Sequence, residues 1–491
     1  MSQDIDYSQK LRPQIHFSPP KNWLNDPNGL VYYKGEYHLF YQHNPTASIW
    51  GNIHWGHAVS KDLLNWEHLD IALKPDEYGL MFSGSAVVDH NDTSGFFDGE
   101  DGLVAIYTSA LPQKHKDYYL QQQCIAYSKD RGRTWIKYED NPVIENKRWK
   151  DFRDPKVFWH KESESWIMIV TNGQKVNFYR SDDLKNWEFT SDFACNAFQF
   201  EGVWECPDLI KLPVENKSGE QKWLLQTGFQ DNSLAGGSGS QYFVGEFDGY
   251  QFKNLNPDQK TFWVDYGQDF YAVQSWANLP KNQNREVWIA WMNNLAYSDT
   301  LPTNDWRGVL SIPREITLAE YNNEYYLKQK PISELEKLRE NDYSVKEHDI
   351  QNVFDYKINY DPFEIKFTAE IGPRDKMDIN LIRGNNLRIS LLVDKQNKEI
   401  VLRRSFNIDP KIGKVFNDTH SAQLFEAREK IDIQFIIDRS TLEIFINDGE
   451  IVFSDLIFPD DIDKTILSIE SNSENGKLHD IEINKLQSVW E

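Results

Sequence analysis

The sequence has few cysteines, fewer basic than acidic residues and no long hydrophobic run, and each of these features argues against a class of protein. Its 491 residues include three cysteines, too few and odd in number for a disulfide framework, which fits a reducing compartment. Acidic residues outnumber basic ones by 76 to 53, and the formal net charge is −23. Such a surface repels nucleic acid, because binding requires Lys and Arg to neutralise phosphates. We therefore expect no nucleic acid as a partner.

No apolar run reaches the length of a membrane span, so we expect no membrane partner either. The first residues, 1–7, lack the basic and apolar regions of a secretory signal. We predict a cytoplasmic protein from the chain as written. A signal removed from a longer precursor would instead make it a secreted one.

The sequence is rich in aromatic residues and in short alternating runs. It contains 17 Trp, 23 Tyr and 28 Phe, and aromatic residues favour strands. Residues 30–33 and 36–41 flank a Lys-Gly turn, and residues 156–159 and 166–170 flank a polar one. Both pairs are typical of β-hairpins. Helical periodicity is almost absent before residue 330, so the first part of the chain is predicted to be all-β.

A weak internal repeat divides this part of the chain. A Ser-x-Asp turn that leads to a Trp occurs at residues 60–66, 128–135 and 181–187, and a looser copy occurs at residues 246–250. Each of the first three copies follows a strand-like run. An interval of roughly 50–70 residues, filled by short strands, is typical of propeller blades. Residues 22–318 contain about five such intervals, which predicts a five-bladed β-propeller.

The pattern changes near residue 331. Ser333 and Glu336 have the spacing of a capping box, which predicts one short helix. Strand-like alternation returns at residues 431–437 and 442–446 and predicts a second all-β unit, a β-sandwich. The predicted domains are a five-bladed β-propeller at 1–330, a helical linker at 331–344 and a C-terminal β-sandwich at 345–491.

Three acidic residues lie in stiff, aromatic-rich segments. They are Asp26 in WLNDPNG, Asp154 in FRDP and Glu205 in WECPD, and a Pro follows each within two positions. The prolines restrict the local backbone and so fix the direction of each acid. Each acid begins a blade-sized unit, and the inner strands of a propeller surround one channel, so we expect the three to meet there. Three positioned carboxylates among aromatics suit the hydrolysis of a sugar–sugar bond.

These three motifs resemble glycoside hydrolase family 32, the group of invertases, levanases and exo-inulinases. The likeness extends from about residue 11 to the C-terminus. Further matching segments lie at residues 82–86, 269–272, 291–294 and 438–445. The resemblance implies a five-bladed propeller with a C-terminal β-sandwich, and hydrolysis of β-fructofuranosidic bonds with retention of configuration. Leu24 departs from the family pattern, which usually has Met there, but the two side chains have similar volumes.

By position, the resemblance implies that Asp26 is the nucleophile, Glu205 the acid/base and Asp154 the stabiliser of the transition state. It also implies the residues that line a fructose pocket, Trp291 being at its rim. The matching positions are Asn25, Gln42, Trp50, Phe82, Ser83, Arg153 and Trp291.

The chemistry sets conditions on the three acids. A two-step retaining reaction needs the nucleophile and the acid/base about 5–5.5 Å apart. Glu205 must be protonated near neutral pH, which burial or a neighbouring negative charge favours. Asp26 must be ionised, which the donors of its turn favour. We expect Arg153 or sugar hydroxyls to hold Asp154 ionised, so that it accepts hydrogen bonds from the sugar.

Other polar signals predict no additional chemistry. Neighbouring residues of a strand face opposite sides, so the thiol of Cys206 is expected to pack behind the site as a small hydrophobe. His54 and His57 likewise face apart, which argues against a shared metal. The Gly-rich residues 236–240 lack the features of a phosphate-binding loop. We expect neither a metal nor a cofactor.

The predicted function is that of an exo-acting β-fructofuranosidase that releases terminal non-reducing fructose from sucrose, fructo-oligosaccharides or fructans. Three alternatives remain: a fructosyltransferase using the same site, a sucrose-6-phosphate hydrolase with a cationic phosphate pocket, and a catalytically silent carbohydrate-binding propeller. The choice between β-2,1 and β-2,6 linkages depends on loops outside the first fructose pocket. The sandwich offers a surface for a possible homodimer.

Overall fold

A computed structural model describes residues 5–490 except 115, 196–201, 258, 352, 407–418 and 426–427. Within these described residues the chain forms strands in seven sheets and two short 3-10 helices. Neither of the two helices in the described part has the length and apolar character that crossing a membrane requires. The all-β prediction is confirmed.

Five of the sheets are the blades of a propeller. Blade 1 contains β1 (Asn22–Tyr33), β2 (Glu36–Asn44), β3 (His54–Ser60) and β4 (Trp66–Leu73). Blade 2 contains β5 (Leu80–Asp89), β6 (Gly102–Pro112), β7 (Tyr119–Ser128) and β8 (Ile136–Lys137). Blade 3 contains β9 (Phe152–His160), β10 (Ser165–Asn172), β11 (Val176–Ser181) and β12 (Glu188–Phe193). Blade 4 contains β13 (Trp204–Pro213), β14 (Gln221–Phe229), β15 (Gly239–Phe247), β16 (Phe252–Asn254) and β17 (Phe262–Trp263).

Blade 5 and the closure of the ring come from the next segment. It contains β18 (Tyr271–Ser275), β19 (Glu286–Trp291), the 3-10 helix η1 (Ser298–Thr300), β20 (Trp306–Arg307), β21 (Arg314–Tyr321) and β22 (Glu324–Pro331). Strands β18, β19, β21 and β22 form the fifth blade. Strand β20 instead pairs in parallel with β1. The inner strands β1, β5, β9, β13 and β18 contact one another in that order, and β18 contacts β1 again. Closure of the ring places the edges of the inner strands around one central channel, where they are protected.

The internal repeat is one kind of turn, found between the third and fourth strands of the first four blades. In blade 1, Asp62 Oδ1 accepts the backbone N–H of Asn65 at 2.8 Å. The carboxylates that make the equivalent bond in blades 2, 3 and 4 are Asp130, Asp183 and Asp248. An Asp side chain in this position satisfies the amides of a turn that would otherwise lack partners. The repeat in the sequence therefore reflects a turn that recurs in the structure, and its copies fall in four successive blades.

The predicted short helix is present, but the predicted capping box is wrong. The 3-10 helix η2 spans Ser333–Leu338, and its N-cap residue is Ile332, with no side-chain cap. The backbone of Leu335 donates to the carbonyl of Ile332 at 3.1 Å. Ile332 is extended and buried, so the core contact of this side chain, not a hydroxyl, determines where the helix begins.

Two six-stranded sheets form the C-terminal β-sandwich. One has the order β23-β34-β25-β30-β31-β32 and the other the order β24-β33-β26-β27-β28-β29. Their bounds are β23 (Arg339–Asp349), β24 (Phe354–Ile358), β25 (Phe363–Glu370), β26 (Lys376–Arg383), β27 (Leu387–Asp394), β28 (Glu399–Phe406), β29 (Thr419–Gln423), β30 (Lys430–Ile437), β31 (Thr441–Ile446), β32 (Ile451–Leu456), β33 (Thr465–Ser471) and β34 (Lys477–Leu486).

The aliphatic residues of both sheets form one core. The division into propeller (1–330), linker (331–344) and sandwich (345–491) stays a proposal. Within that linker, the helix occupies only Ser333–Leu338, and β23 already belongs to a sandwich sheet.

A buried network of charges joins the sandwich to the propeller. His16 lies between two sandwich carboxylates, at 3.0 Å from Asp438 Oδ2 and 3.0 Å from Glu443 Oε1. Glu443 also pairs with Arg314 at 2.5 Å, and Arg314 pairs with Asp265 at 3.0 Å. Burial alone would lower the pKa of His16, but its hydrogen bonds to Asp438 and Glu443 raise that pKa to about 9. The imidazole is therefore a cation at neutral pH.

We expect the network to contribute strongly to stability. Glu443→Leu leaves Arg314 and His16 buried without this counter-charge and should lower the free energy of unfolding by about 3–5 kcal/mol, measured by urea denaturation at pH 7. Glu347→Gln, which removes an exposed ion pair with Lys477, is the control and should have no measurable effect. Equal stabilities of the Glu443 variant and the unmodified protein would contradict a structural role for the network.

Candidate active site

The inner strand of every blade has a break in its pairing register near its start. The breaks lie between Leu24 and Pro27, Met81 and Gly84, Arg153 and Lys156, Glu205 and Asp208, and Tyr271 and Gln274. A bulge inserts residues that the neighbouring strand does not pair, and so redirects side chains. Five bulges at one level let successive residues of each inner strand face the same channel.

The structure brings the three predicted acids to one pocket at this level. Asp26, Asp154 and Glu205, from β1, β9 and β13, all line a cavity of about 430 Å³. Of the seven predicted pocket residues, six also line it and the seventh, Ser83, lies beside Asp26. The six are Asn25, Gln42, Trp50, Phe82, Arg153 and Trp291.

A chain of hydrogen bonds directs donors toward Asp26. The Trp23 indole donates to Asn25 Oδ1 at 2.6 Å. Because an indole N–H is only a donor, this contact turns the amide of Asn25 so that its Nδ2 donates to Asp26 Oδ1 at 3.0 Å. On the other side, Gln42 Nε2 donates to Ser83 Oγ, and Ser83 donates to Asp26 Oδ2 at 2.5 Å. Both carboxylate oxygens of Asp26 therefore have oriented donors.

These donors do not outweigh burial. Desolvation raises the pKa of Asp26, the bonds from Ser83 and Asn25 lower it, and the charge of Glu205 raises it, so that the net direction is upward. The amide of Asn25 favours the ionised form, as expected of a donor in this turn. The net direction is nevertheless upward, because the carboxyl lies in a pocket where water solvates it poorly and a second acid is close.

Glu205 has four polar contacts. Arg153 donates to Glu205 Oε1 from Nε at 3.0 Å and from Nη2 at 2.9 Å. Gln230 Nε2 donates to the same oxygen at 3.1 Å, and the Tyr271 hydroxyl donates to Oε2. Such contacts fix the direction of the carboxyl group toward the pocket.

Asp154 has an unusual backbone and an unusual pKa. Its φ of 65° lies in the left-handed region, within the bulge of β9, and its N–H donates to Thr108 Oγ1 at 2.9 Å. Desolvation raises the pKa of Asp154 to about 7, against the opposing effect of Arg153. Arg153 lowers the pKa of Asp154 but does not by itself hold this carboxyl ionised. The closest approach of Arg153 Nε is 3.9 Å, and its guanidinium pairs with Glu205 and Asp151. The part expected of sugar hydroxyls stays a prediction.

Cys206 corrects a second expectation. Its φ of 48° interrupts strand alternation within the bulge of β13. The thiol lies 3.4 Å from Asp26 Oδ2 and 3.7 Å from Asp154 Oδ2, and its backbone N–H donates to Asp154 Oδ2 at 3.0 Å. The residue is buried behind the pocket, as expected, but it acts as a hydrogen-bond donor to two of the acids and not as a plain hydrophobe.

Aromatic side chains form much of the pocket wall. Trp50 is 42% exposed at the mouth, and its ring centroid lies 6.0 Å from that of Phe82. Trp291, which the resemblance implies at the rim, is only 1% exposed and packs edge-on against Trp23 at 5.8 Å. It belongs to the wall. Flat apolar rings suit the C–H faces of sugars.

The sequence did not reveal every residue of the site. Tyr271 lies in a segment that matched the family, but nothing in its neighbours indicated a contact with Glu205. Gln230 and Thr108 lie in segments with no motif, and only the closure of the ring brings them to the acids. Among the residues that the structure describes, no group of three or more His, Cys, Asp or Glu has the arrangement of a metal site.

The propeller with three carboxyl groups around one pocket defines the class of a glycoside hydrolase. Comparison of sequences gives the family: residues 16–331 match the glycosyl hydrolases family 32 N-terminal domain, and residues 334–486 match the glycosyl hydrolases family 32 C terminal domain. The chain belongs to glycosyl hydrolase family 32.

Relatives and solved structures cover nearly the whole chain. A levanase of Bacillus subtilis is 44% identical over 99% of this chain and 72% of its own length. An extracellular exo-inulinase of Aspergillus niger is 37% identical over 99% of this chain and 96% of its own. The crystal structure of exo-inulinase from Aspergillus awamori superposes with a TM-score of 0.88 at 35% identity, over 99% of this chain and 100% of that one.

The raised pKa of Asp154 has a consequence for stability. In the unfolded chain this carboxyl ionises near pH 3.8, and in the folded protein near pH 7. Between these values the unfolded chain releases the proton first, so ionisation reduces stability as the pH rises from about 4 to 7. Asp154→Asn should therefore have a higher melting temperature than the unmodified protein at pH 8 and a similar one at pH 4. A lower melting temperature of the variant at pH 8 would refute this.

Proposed function

We propose that this protein is a retaining, exo-acting β-fructofuranosidase that releases terminal non-reducing fructose from sucrose and from inulin- or levan-type fructans. The observation that carries the proposal is the convergence of Asp26, Asp154 and Glu205 on one pocket, in a chain of glycosyl hydrolase family 32. Relatives named levanase, exo-inulinase and invertase support the same class of substrate.

The shape of the pocket favours attack at a chain end. Its inner side is closed by the buried side chains of Asn25 and Gln42, with Ser83 behind Asp26. A polysaccharide cannot run through a pocket that is closed on this side, but a terminal sugar can enter it. The aromatic wall then contacts one face of the ring, and the carboxylates bind its hydroxyls.

In the first step, Asp26 attacks the anomeric carbon of the terminal fructose. The bond from that carbon to the leaving oxygen breaks, its electron pair remains on the oxygen, and Glu205 transfers its proton there. The donors from Asn25 and Ser83 hold both oxygens of Asp26, which fixes the direction of attack. The product is a fructosyl ester of Asp26 and a free leaving sugar.

In the second step, Glu205 accepts a proton from a water molecule whose oxygen attacks the anomeric carbon, and Asp26 leaves as a carboxylate. Two displacements restore the original configuration. Arg153, Gln230 and Tyr271 donate to Glu205 and so hold its carboxyl group in position for both proton transfers. The separation of about 5–5.5 Å between the two acids stays a prediction of this mechanism.

Asp154 acts as the stabiliser of the transition state. Its carboxyl receives a backbone donor from Cys206 and has capacity for two sugar hydroxyls. Hydrogen bonds from those hydroxyls favour the ionised form, which burial alone disfavours. Its negative charge then stabilises the positive charge that develops on the ring at the transition state.

The charge of the pocket argues against a phosphorylated substrate. The basic side chains among its lining residues are Lys150 and Arg153, and Arg153 already pairs with Glu205 and Asp151. The acidic side chains that line it are Asp26, Asp117, Asp151, Asp154, Glu205 and Asp299. A neutral sugar therefore fits better than sucrose 6-phosphate. The fructosyltransferase alternative has the same first step as hydrolysis. It differs only in the second step, where a sugar and not water accepts the fructosyl group.

Substitution of the acids tests the assignment of roles. We expect Asp26→Asn to reduce kcat on sucrose by at least about 10³-fold, and Glu205→Gln by about 10²–10⁴-fold. Asp299→Asn removes an exposed carboxylate that also lines the pocket and should retain most of the activity. Full activity of the Asp26→Asn variant would contradict the proposal.

A panel of substrates tests the reaction itself. The protein is incubated with sucrose, sucrose 6-phosphate, inulin and levan, and free glucose, fructose and oligomers are resolved. Equal glucose and fructose from sucrose supports hydrolysis, whereas glucose in excess supports transfer. No turnover of any substrate supports a binding propeller.

The cytoplasmic location and the homodimer stay predictions; several relatives carry the word extracellular in their names.

A further inference from the structure

One exposed tryptophan that is adjacent in sequence to pocket residues has no role in the mechanism above. Trp149 is 38% exposed. The two residues that follow it, Lys150 and Asp151, line the pocket, whereas Trp149 is not itself among the lining residues. Trp is enriched at binding surfaces because its large ring is apolar and its N–H is polar, so an exposed indole beside pocket residues suggests a ligand contact.

The position of this indole is fixed without a ligand. Asn146 is 3% exposed, and its Oδ1 accepts the backbone N–H groups of Arg148 and Trp149, both at 3.0 Å. Its Nδ2 donates to the carbonyl of Trp149 at 2.8 Å. The ring packs on the buried ring of Phe152, with centroids 5.0 Å apart. A preorganised ring loses little conformational entropy on binding.

Ion pairs connect the loop of Trp149 to Glu205. Asp151 Oδ1 lies 2.9 Å from Arg153 Nη1, and Arg153 Nη2 lies 2.9 Å from Glu205 Oε1. In the proposed reaction, Glu205 protonates the leaving oxygen. We therefore expect the loop that continues from Glu205 through Arg153 and Asp151 to face the sugar units attached to that oxygen and not the terminal fructose.

We propose that Trp149 is a stacking platform for the third sugar unit of a fructan chain, counted from the end that is cleaved. This inference rests on the proposed function and deepens it. The terminal unit occupies the pocket floor, and the second unit lies near Trp50 and Leu295, which line the mouth. Sucrose has no third unit, so Trp149 favours oligomers and polymers over sucrose. The C–H face of the sugar packs on the indole.

Another exposed tryptophan provides a matched control. Trp159 lies in the same blade and is 40% exposed, and its ring packs on Trp166 at 5.2 Å. It lies toward the far end of β9, away from Asp154 and the pocket. The two residues have similar exposure and an aromatic neighbour each, but Trp149 precedes β9 next to pocket residues, whereas Trp159 lies near the opposite end of β9.

The experiment compares Trp149→Ala, Trp149→Phe and Trp159→Ala on sucrose and on β-2,1- and β-2,6-linked fructo-oligosaccharides of three and four units. For Trp149→Ala we expect kcat/KM to fall about three- to tenfold on the longer substrates of at least one linkage, mainly through KM. Sucrose should change by less than about twofold. Trp149→Phe should retain most of the activity on long substrates, and Trp159→Ala should match the unmodified protein.

Two outcomes would overturn the inference. Equal losses on sucrose and on the longer substrates would mean that the loop acts through Arg153 and Glu205. Unchanged kinetics on both linkage series would mean that the indole binds no sugar. Failure of the proposed function gives a different result, because the unmodified protein would then release fructose from none of the substrates. In that case calorimetry decides: the inference requires tighter binding of a tetrasaccharide to the unmodified protein than to Trp149→Ala.

Discussion

The crowding of three carboxyl groups in one poorly solvated pocket is the constraint on which the rest of the structure depends. Burial raises the pKa of both Asp26 and Asp154, and the negative charges of these residues and of Glu205 repel one another. Such an arrangement costs folding free energy unless donors compensate. The donors around it are correspondingly dense. They include the indole-directed amide of Asn25, the hydroxyl of Ser83, the backbone N–H of Cys206 and the guanidinium of Arg153.

The propeller supplies the geometry that this crowding requires. Each blade contributes its first strand to the channel, and a bulge near the start of each strand redirects side chains inward. The ring is closed by the pairing of β20 with β1, directly before Asp26. The sandwich secures the same region from outside, since Glu443 binds His16 and Arg314, which flank the two closing segments. The ion pairs between the sandwich and the propeller thus help to compensate for the unfavourable crowding of carboxyl groups in the pocket.

The sequence predicted the features that local chemistry determines. The Asp turns at Asp62, Asp130 and Asp183 marked the blades because the same side-chain bond recurs in each, and the three acids were located by the prolines that follow them. Long-range effects were not predictable. The contact of Arg153 with Glu205, the donor role of Cys206 and the hydroxyl of Tyr271 depend on bulges and on ring closure. The capping box at Ser333 failed because burial of Ile332 outweighed a local signal.

The most direct test of the account is to identify the residue that carries the sugar. Glu205→Gln is incubated with β-fructofuranosyl fluoride, whose leaving group needs no protonation, so that the first step proceeds while the second is slow. The protein is then quenched, digested and analysed by mass spectrometry. The account predicts a fructosyl ester on Asp26. A fructosyl group on Asp154, or the release of inverted fructose without any ester, would contradict it.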